Sequence, residues 1–355
     1  MRNIFPVLLT ILIASSLQAQ IITSPDDSSR TDWWGDIDGF LNHQAGLSLD
    51  MVNKVLVKSP PSIKETEIRK MALLLIDNVL HDVKAASRPA VQTLFRNRIE
   101  KAIDEICSVD VEKGALIWKL YNHTFIVKTP SVTIAFDLQQ GTPGVEGMQI
   151  SREQLTKLIR VSDILFITHT HNDHASEWVA ESFLSQGKPV VSPPDIWIDK
   201  QIYSRISHPE RREGLTTGIN LPSKSLNLKF ITYPGHQGER LPNNVYLVFT
   251  PEGISVSHTG DQSNEDDFKW IDEVGKNFDV DVAMVNAWSV YPGLRFARGF
   301  LPKLIIAGHE NELAHTIDHR EPYWLNTARL GNMEVFPWIE MVWGEKYNYI
   351  RGDLR

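Results

Sequence analysis

The chain has 355 residues, of which 42% are hydrophobic and 23% are charged, and its formal net charge at pH 7 is -8. This length and apolar content suffice for one large or two modest domains with a real core. Because contacts with phosphate backbones need a basic surface, the acidic balance argues against a nucleic-acid partner and favours a small-molecule substrate. The single cysteine, Cys107, excludes an intrachain disulfide.

The first residues have the pattern of a secretory signal peptide. Arg2 gives a positive start, residues 5–13 are largely apolar, and Ala19 is a small residue at the expected cleavage point. We predict that residues 1–19 are removed and that the mature chain is exported to the periplasm or secreted. No later stretch reaches the length of a membrane helix, so no span is predicted after cleavage. The alternative is that this segment is retained as a membrane anchor.

Residues 20–114 are predicted to form an irregular and helical N-terminal extension. Residues 21–60 look irregular, because a Trp-Trp-Gly sequence interrupts any period. From Ser62 to Glu65 the sequence has a capping-box pattern, and apolar residues at helical spacing follow it. A second helix is predicted to begin near Pro89. The extension would pack against the main domain or against a partner chain, which leaves a homo-oligomer open. The less favoured alternative is that it covers the active site.

From residue 115 the hydrophobic period changes from that of helices to that of strands. Helices are predicted only over residues 151–160 and 176–184 between short apolar segments. Clusters of strands interrupted by helices favour an α/β architecture, with two sheets face to face and helices outside. No repeat or linker follows, so residues 115–355 are predicted to be one domain. The predicted strands cover residues 116–120, 124–128, 132–138, 163–168, 226–233, 245–250, 253–257, 280–286 and 303–307.

The segment from His169 to His174 contains three histidines and one aspartate within six positions. It follows an apolar strand, and residues two apart in an extended chain point to the same side. His169 and His171 can therefore bind one cation together, and a turn brings Asp173 and His174 towards a second. The alternative is a chance group of surface histidines, but the spacing is typical of a metal site.

Four further segments share one design, in which an apolar strand and a sharp turn precede a residue that can bind a metal. These residues are Asp137, His236, Asp261 and His309. Side chains at strand ends meet at one edge of a sheet, where a rigid scaffold can hold them in place. Imidazole and carboxylate ligands suit zinc, and manganese or iron would accept the same set.

The order of these motifs resembles that of the metallo-β-lactamase-fold hydrolases over about residues 115–310. The resemblance implies a four-layer αββα sandwich with two divalent metal ions. The implied ligands of the first metal are His169, His171 and His236. The implied ligands of the second are Asp173, His174 and His309, with Asp261 bridging the two metals. It also implies that Asp137 supports the histidine loop by accepting a hydrogen bond, which ligating imidazoles generally need.

Two metals a few ångströms apart lower the pKa of a shared water and provide a hydroxide at working pH. Such a hydroxide would attack a carbonyl or phosphoryl group, and Asp173, Asp261 or a water would return a proton to the leaving group. The implied function is an exported metal-dependent hydrolase that cleaves a small ester, lactone or phosphodiester. The alternative is a non-enzymatic protein that keeps the fold to bind a metal or another ligand.

Two differences from the family pattern narrow the range of expected substrates. Antibiotic-cleaving members typically have cysteine where this chain has Asp261, which disfavours a β-lactamase. The glyoxalase-like thioesterases usually have glycines after the histidine motif, whereas Ala175 and Ser176 stand here. The motifs look nearest to those of the group that holds ascorbate-phosphate lactonase and the phospholipase-D-like members.

Candidate substrate-binding residues follow the last predicted strands. Asn286, Trp288 and Tyr291 could line a pocket beside the metals, although such aromatic residues are as often packed for their area. His319 and Arg320 follow the last metal motif, and Arg320 would suit a carboxylate or phosphate group. The alternative for both is a solvated or core position.

Two other histidines are not assigned to the site. His258 is interpreted as a hydrogen-bonded core histidine rather than a proton shuttle. His123 lies in a predicted turn and has no supporting pattern.

Overall fold

The protein is described from a computed structural model over residues 33–142, 144–286, 295–330 and 336–353. The predicted signal peptide and two candidate pocket residues, Trp288 and Tyr291, lie outside these ranges. The chain divides into two compact units, residues 1–44 and 45–355. In the first unit, the described part is a turn followed by the beginning of a helix.

Three helices precede the sheets: α1 (Ile37–Lys58), α2 (Glu67–Leu80) and α3 (Pro89–Ser108). The prediction that residues 21–60 are irregular is therefore wrong for α1. Leu49, Val52 and Leu56 are buried at helical spacing, but the exposed Leu47 and Met51 weaken the contrast between its two faces.

The helices α2 and α3 agree with the predicted pattern except at one end. Thr66 caps α2 by accepting a hydrogen bond from the Arg69 amide at 3.3 Å, so the helix begins later than the Ser62 motif suggested. Pro89 occupies the first turn of α3, where the missing amide proton costs no helical hydrogen bond.

Within the described residues the later helices and strands alternate in short segments. The later helices are α4 (Arg152–Val161), α5 (Glu177–Ser185), α6 (Phe268–Asn277), α7 (Arg295–Phe300) and α8 (Tyr323–Leu330). The strands, β1 to β13 in chain order, are Ala115–Lys119, Phe125–Lys128, Thr133–Phe136, Ile164–Phe166, Val190–Val191, Thr216–Leu221, Leu226–Gln237, Leu241–Phe249, Ser255–His258, Val282–Asn286, Leu304–Gly308, Trp338–Ile339 and Glu345–Tyr349.

These described strands form two sheets. The first has the order β13-β1-β2-β3-β4-β5, and the second has the order β12-β11-β10-β9-β8-β7-β6. In the first sheet β3, β4 and β5 are parallel. In the second, β9, β10, β11 and β12 are parallel. Each sheet therefore has a parallel section in which several strands end at one edge.

The cores show that the sheets lie face to face with helices on both outer sides. Phe136 and Phe166 of the first sheet and Phe230 and Tyr246 of the second belong to one buried cluster between the sheets. A second cluster joins the outer face of the first sheet to α1–α5. A third joins the outer face of the second sheet to α6 and α7. The predicted αββα sandwich with N-terminal helices is confirmed.

Several strands were not predicted from the sequence. The strand β6 alternates between exposed and half-buried residues along most of its length, so it has no apolar run. The strands β5 and β12 have only two residues each, too few to show a period. Among the described residues, no helix is long and apolar enough to cross a membrane.

Candidate metal centre

The candidate ligands lie where parallel strands of both sheets end. Asp137 follows β3, the histidine segment follows β4, and Asp261 and His309 follow β9 and β11. The backbone φ angle is +46° at Asp137 and +72° at His309. Because this conformation is strained for residues with a Cβ, the surrounding structure must hold both turns in place.

Three groups of side chains offer ligand atoms within 4.8 Å of one another. The first comprises His169, His171 and Asp261. The second comprises Asp173, His174 and His309, and the third comprises His123, His174 and Asp261. The structure thus brings together six of the seven implied ligands from three separate stretches of the chain.

Asp261 lies at the centre of this arrangement. Its Oδ2 is 3.6 Å from His169 Nε2, and its Oδ1 is 3.4 Å from His174 Nε2 and 3.5 Å from His309 Nε2. The two carboxylate oxygens therefore face different histidines. This is the arrangement required of a carboxylate that contacts two cations at once.

The seventh implied ligand, His236, is close to this centre but is not a member of these three groups among the described residues. Its main-chain oxygen accepts a hydrogen bond from Ser263 at 2.9 Å, just beyond Asp261. The next residue, Gln237, donates from Nε2 to Asp261 Oδ2 at 3.0 Å. The assignment of His236 as a ligand remains a prediction.

Oxygen atoms hold the Nδ1 side of three of the histidines. His174 Nδ1 is 2.7 Å from Asp137 Oδ2, His236 Nδ1 is 3.0 Å from Asp267 Oδ1, and His169 Nδ1 is 3.0 Å from Thr168 Oγ1. A ligating histidine generally donates its other ring N–H to an oxygen in this way, which fixes the tautomer and the ring orientation. Each Nε2 is then the nitrogen with a lone pair for a metal.

The buried ring nitrogens test whether a metal fits. His169 and His174 are fully buried, and the Nε2 atom of each has no hydrogen-bond partner. Buried polar atoms without partners are uncommon because each costs about 1–3 kcal/mol. A divalent cation beside each of these nitrogens, near the Asp261 carboxylate, would satisfy them, and the imidazole and carboxylate donors suit zinc, manganese or iron. The residues present therefore fit a metal.

The electrostatics of the site couple its histidines to its carboxylates. Burial and the neighbouring His174 lower the pKa of His169 to about 3. Burial also disfavours the charge on His309, but Asp261 and Asp173 outweigh it and raise the pKa of His309 to about 8. Burial also lowers the pKa of His174, but the charges of Asp261, Asp173 and Asp137 outweigh burial and raise this pKa well above its usual value.

Exposure differs across the site. His169, His174, Asp261 and His309 are buried, whereas His171 is exposed. The Asp173 side chain retains 15% of its accessible surface. The candidate site is therefore open to solvent on the side of His171 and Asp173, and the other candidate ligands lie beneath them.

A buried charge network supports the segment that carries His309. The Lys119 ammonium on β1 pairs with Glu310, and Asn326 Nδ2 donates to Glu310 Oε1 at 2.7 Å. Burial and the nearby Glu310 raise the pKa of Glu340 well above its usual value, and Lys119 lies closer to Glu310 than to Glu340, from which its Nζ is 4.0 Å away. Both partners of the Lys119–Glu310 pair are fully buried. The residue next to His309 is thus fixed from the opposite sheet.

The structure places the candidate substrate residues at different depths. Asn286 donates from Nδ2 to Asp261 Oδ1 at 2.6 Å, so it contacts a candidate ligand directly. His315 stacks on His309 with ring centroids 5.7 Å apart. The His319 side chain lies on a short turn and keeps 72% of its accessible surface.

Arg320 has a structural role here, which corrects its prediction as a substrate clamp. Its guanidinium donates to the main-chain oxygens of Leu80 at 2.9 Å, Asp82 at 3.1 Å and Leu313 at 3.1 Å. A further hydrogen bond goes to the His315 oxygen at 2.9 Å. These contacts occupy the fork of donors that would otherwise bind an anionic group.

Sequence reasoning missed the contribution of the turn between β1 and β2. Asn122 Nδ2 donates to Asp173 Oδ2 at 2.9 Å, and His123 offers a nitrogen to the third group. The available signal was that these polar residues also follow an apolar strand, as the other candidates do. They were missed because the turn precedes the family motifs in the chain. His258 is a core histidine as interpreted, with Nε2 2.9 Å from the His123 oxygen.

The comparisons with known proteins support the fold. No protein-family profile and no curated protein matches this sequence. Among solved structures, the chain is similar to Igni18, a metallo hydrolase from the archaeon Ignicoccus hospitalis. The identity is 18%, the match covers 67% of this chain and 99% of that one, and the TM-score is 0.52.

Two further structures match less closely. One is CmlA, a diiron β-hydroxylase from Streptomyces venezuelae, at 14% identity, with 67% of this chain and 55% of that chain covered and a TM-score of 0.47. The other is an isothiocyanate hydrolase from Delia radicum gut bacteria, at 12% identity, with 66% and 99% covered and a TM-score of 0.48. The topology and the Igni18 match define a protein with the metallo-β-lactamase fold.

Proposed function

We propose that this protein is a metal-dependent hydrolase with a dinuclear centre that cleaves a small ester, lactone or phosphodiester. The observation that carries the proposal is the pair of ligand groups around Asp261, one with His169 and His171 and the other with Asp173, His174 and His309. The shared fold with a metallo hydrolase supports it. His236 would complete the first group.

When bound, two divalent ions would supply Lewis acidity and lower the pKa of a water. The protein's own residues supply the geometry. Asn286 and Gln237 donate to the two oxygens of Asp261 and fix the plane of its carboxylate. Asp173, which is partly exposed and held by Asn122, can pass a proton to a leaving group on the open side.

We also propose that the protein is exported, which rests on the signal-peptide pattern before Ala19. An acidic chain in that compartment fits a small-molecule substrate and not a nucleic acid. Zinc is the metal proposed first, with manganese or iron as alternatives.

The test substitutes alanine at His171 or at Asp261. We expect either change to abolish turnover and to lower bound metal, measured by elemental analysis, because each removes a ligand. Far-UV circular dichroism should stay unchanged, since both side chains lie in loops after strands. His208→Ala is the control, because the ring of this half-buried histidine contacts the main-chain oxygens of Ser192 and Tyr203, in the segment between β5 and β6. Full activity in a metal-poor Asp261→Ala protein would defeat the proposal.

The rival function is a non-enzymatic metal or ligand-binding protein with the same fold. A panel of chromogenic lactone, ester, thioester and bis-phosphate substrates, each with Zn²⁺ or Mn²⁺, separates the two. Hydrolysis of any one substrate that is lost in both variants supports the enzyme. If no substrate is hydrolysed although both metals are bound, the non-enzymatic function is favoured.

A further inference from the structure

His123 is buried beneath the candidate metal centre, in the turn between β1 and β2. Its ring stacks on His258 with centroids 4.1 Å apart and lies 6.0 Å from the His174 ring and 6.1 Å from the His309 ring. A Cβ atom at Gly308 would stand 2.5 Å from His123 Cδ2, so the glycine before His309 leaves room for this imidazole. Glycine at position 308 therefore allows the end of β11 to pack closely against the His123 ring.

Both ring nitrogens of His123 lack a hydrogen-bond partner, although the side chain is fully buried. A neutral imidazole has one N–H donor and one lone pair, so this residue has an unused lone pair in a dry environment. The neighbouring His258 differs. Its Nε2 contacts the His123 oxygen at 2.9 Å, and its Nδ1 accepts from the Gly260 amide at 3.2 Å. Burial alone therefore does not explain why both ring nitrogens of His123 lack a hydrogen-bond partner.

One His123 nitrogen lies within 4.8 Å of ligand atoms of both His174 and Asp261. These two residues are candidate ligands of the second metal. We infer that His123 is a further nitrogen ligand of the dinuclear centre and binds the divalent ion held by His174 and Asp261. The inference rests on the proposed function, since it concerns the metals of that site.

An added nitrogen ligand has a consequence for the choice of metal. With His123, the second position would receive donors from Asp173, His174, His309, Asp261 and His123 itself. Zinc in proteins almost always prefers four ligands, whereas manganese and iron accept larger numbers. His123 would therefore shift the metal preference of the second position away from zinc and towards manganese or iron.

The experiment uses the mature full chain as the His123→Gln and His123→Ala variants. His258→Gln is the packing control, because it disturbs the same ring stack and removes no candidate ligand. The metal-free proteins are titrated with Zn²⁺, Mn²⁺ and Co²⁺. Elemental analysis gives the stoichiometry, and cobalt absorption reports the coordination.

We expect one of two metal equivalents to bind about tenfold more weakly, or worse, in both His123 variants. The cobalt spectrum of that equivalent should change, and the preference for Mn²⁺ relative to Zn²⁺ should fall. The His258→Gln protein should keep both equivalents and the wild-type spectrum. Unchanged affinities and spectra in both His123 variants would overturn the inference.

A crystal structure of the metal-loaded wild-type chain shows whether His123 coordinates a metal, even if the variants fold poorly. A His123 nitrogen at about 2.1 Å from a metal supports the inference, and one beyond about 3 Å overturns it. The two proposals fail in different ways. A wild-type chain that binds no metal refutes the proposed function, whereas two bound metals with His123 uncoordinated refute only this inference.

Discussion

At the residue scale, the site depends on histidines whose orientation is set before a metal binds. Asp137 shows how this is achieved. It accepts hydrogen bonds from the Thr168 amide and from the Thr168 hydroxyl, each at 2.7 Å, while holding His174 Nδ1. One buried carboxylate therefore fixes the start of the histidine loop and a candidate ligand at its end.

The ligand pKa values predict a pH dependence of metal binding. Although burial lowers it, the pKa of His309 is raised to about 8 by Asp261 and Asp173, and the pKa of His174 is also raised. A proton on either ring occupies the lone pair, so the affinity for the second metal should fall as pH decreases below about 8. Each displaced proton contributes about tenfold per pH unit. Competition with a chromogenic chelator from pH 6 to pH 9 measures this effect.

The first metal provides the internal comparison for this titration. His169 stays neutral down to a pKa of about 3, so it adds no competing proton between pH 6 and pH 9. An affinity for the second metal that does not change between pH 6 and pH 8 would contradict the prediction.

The sequence predicted most of the residues that lie together here, because they follow a linear pattern of strand, turn and polar residue. It did not identify Asn122 and His123, since their role arises only when β1 and β2 are placed beside the last parallel strands. Nor could it assign Arg320. An arginine satisfied by main-chain oxygens and one that binds a substrate look alike in a sequence.

At the scale of elements, α2 is tied to the segment after His309. Asp77 Oδ1 accepts from Asn311 Nδ2 at 2.9 Å and from the Tyr323 amide at 3.1 Å. Its Oδ2 accepts from the Trp324 amide at 2.8 Å. The beginning of α8 and the loop before it thus rest on a helix from the N-terminal extension.

Asp77→Ala should lower the free energy of unfolding by about 2–4 kcal/mol, because three donors lose their acceptor in a buried place. Urea denaturation measures the loss. Asp77→Asn, which keeps one amide oxygen, should lose less. A change below about 0.5 kcal/mol for the alanine variant would show that these hydrogen bonds do not hold the segment.

The effect of Asp77→Ala should also depend on pH. Burial raises the pKa of Asp77 to about 6 in the folded protein. A carboxyl group with a raised pKa contributes most stability below its unfolded value of about 4, and this contribution is lost as pH rises through 6. The wild-type advantage over the alanine variant should therefore be larger at pH 4 than at pH 7.

Element prediction worked where patterns were strong and failed where they were weak. The helix α4 has a capping box between Ser151 and Gln154, and it begins within one residue of the predicted position. The helix α1 was missed because apolar residues lie on both its buried and its exposed sides. Such a helix is stabilised mainly by what it packs against, which local sequence does not show.

At the scale of the whole molecule, the predicted boundary at residue 115 separates segments that share one core. Residues of α3, including Phe95 and Ile99, belong to the same buried cluster as Trp118, Ile126 and Trp343. The rings of Phe95 and Trp343 lie 5.7 Å apart. The N-terminal helices therefore form an outer layer of the sandwich.

A chain that begins at residue 115 should fail to fold, because removing α1–α3 exposes this cluster to water. Expression followed by size-exclusion chromatography checks the outcome, with a chain that begins at residue 20 as the control. We expect aggregates from the shorter chain and a soluble species from the longer one. A soluble shorter chain that binds two metals would show that residues 115–355 are an independent domain.

The ion pair between Lys119 and Glu310 limits which substitutions the protein can accept at these two positions, both in evolution and in the laboratory. Loss of one partner strands an opposite charge in a dry interior, which typically costs about 3–5 kcal/mol, whereas replacing both with apolar residues of similar size is often tolerated. Homologues and selected variants should accordingly retain the two charges or discard them together. Libraries that randomise either position alone will seldom yield a folded clone.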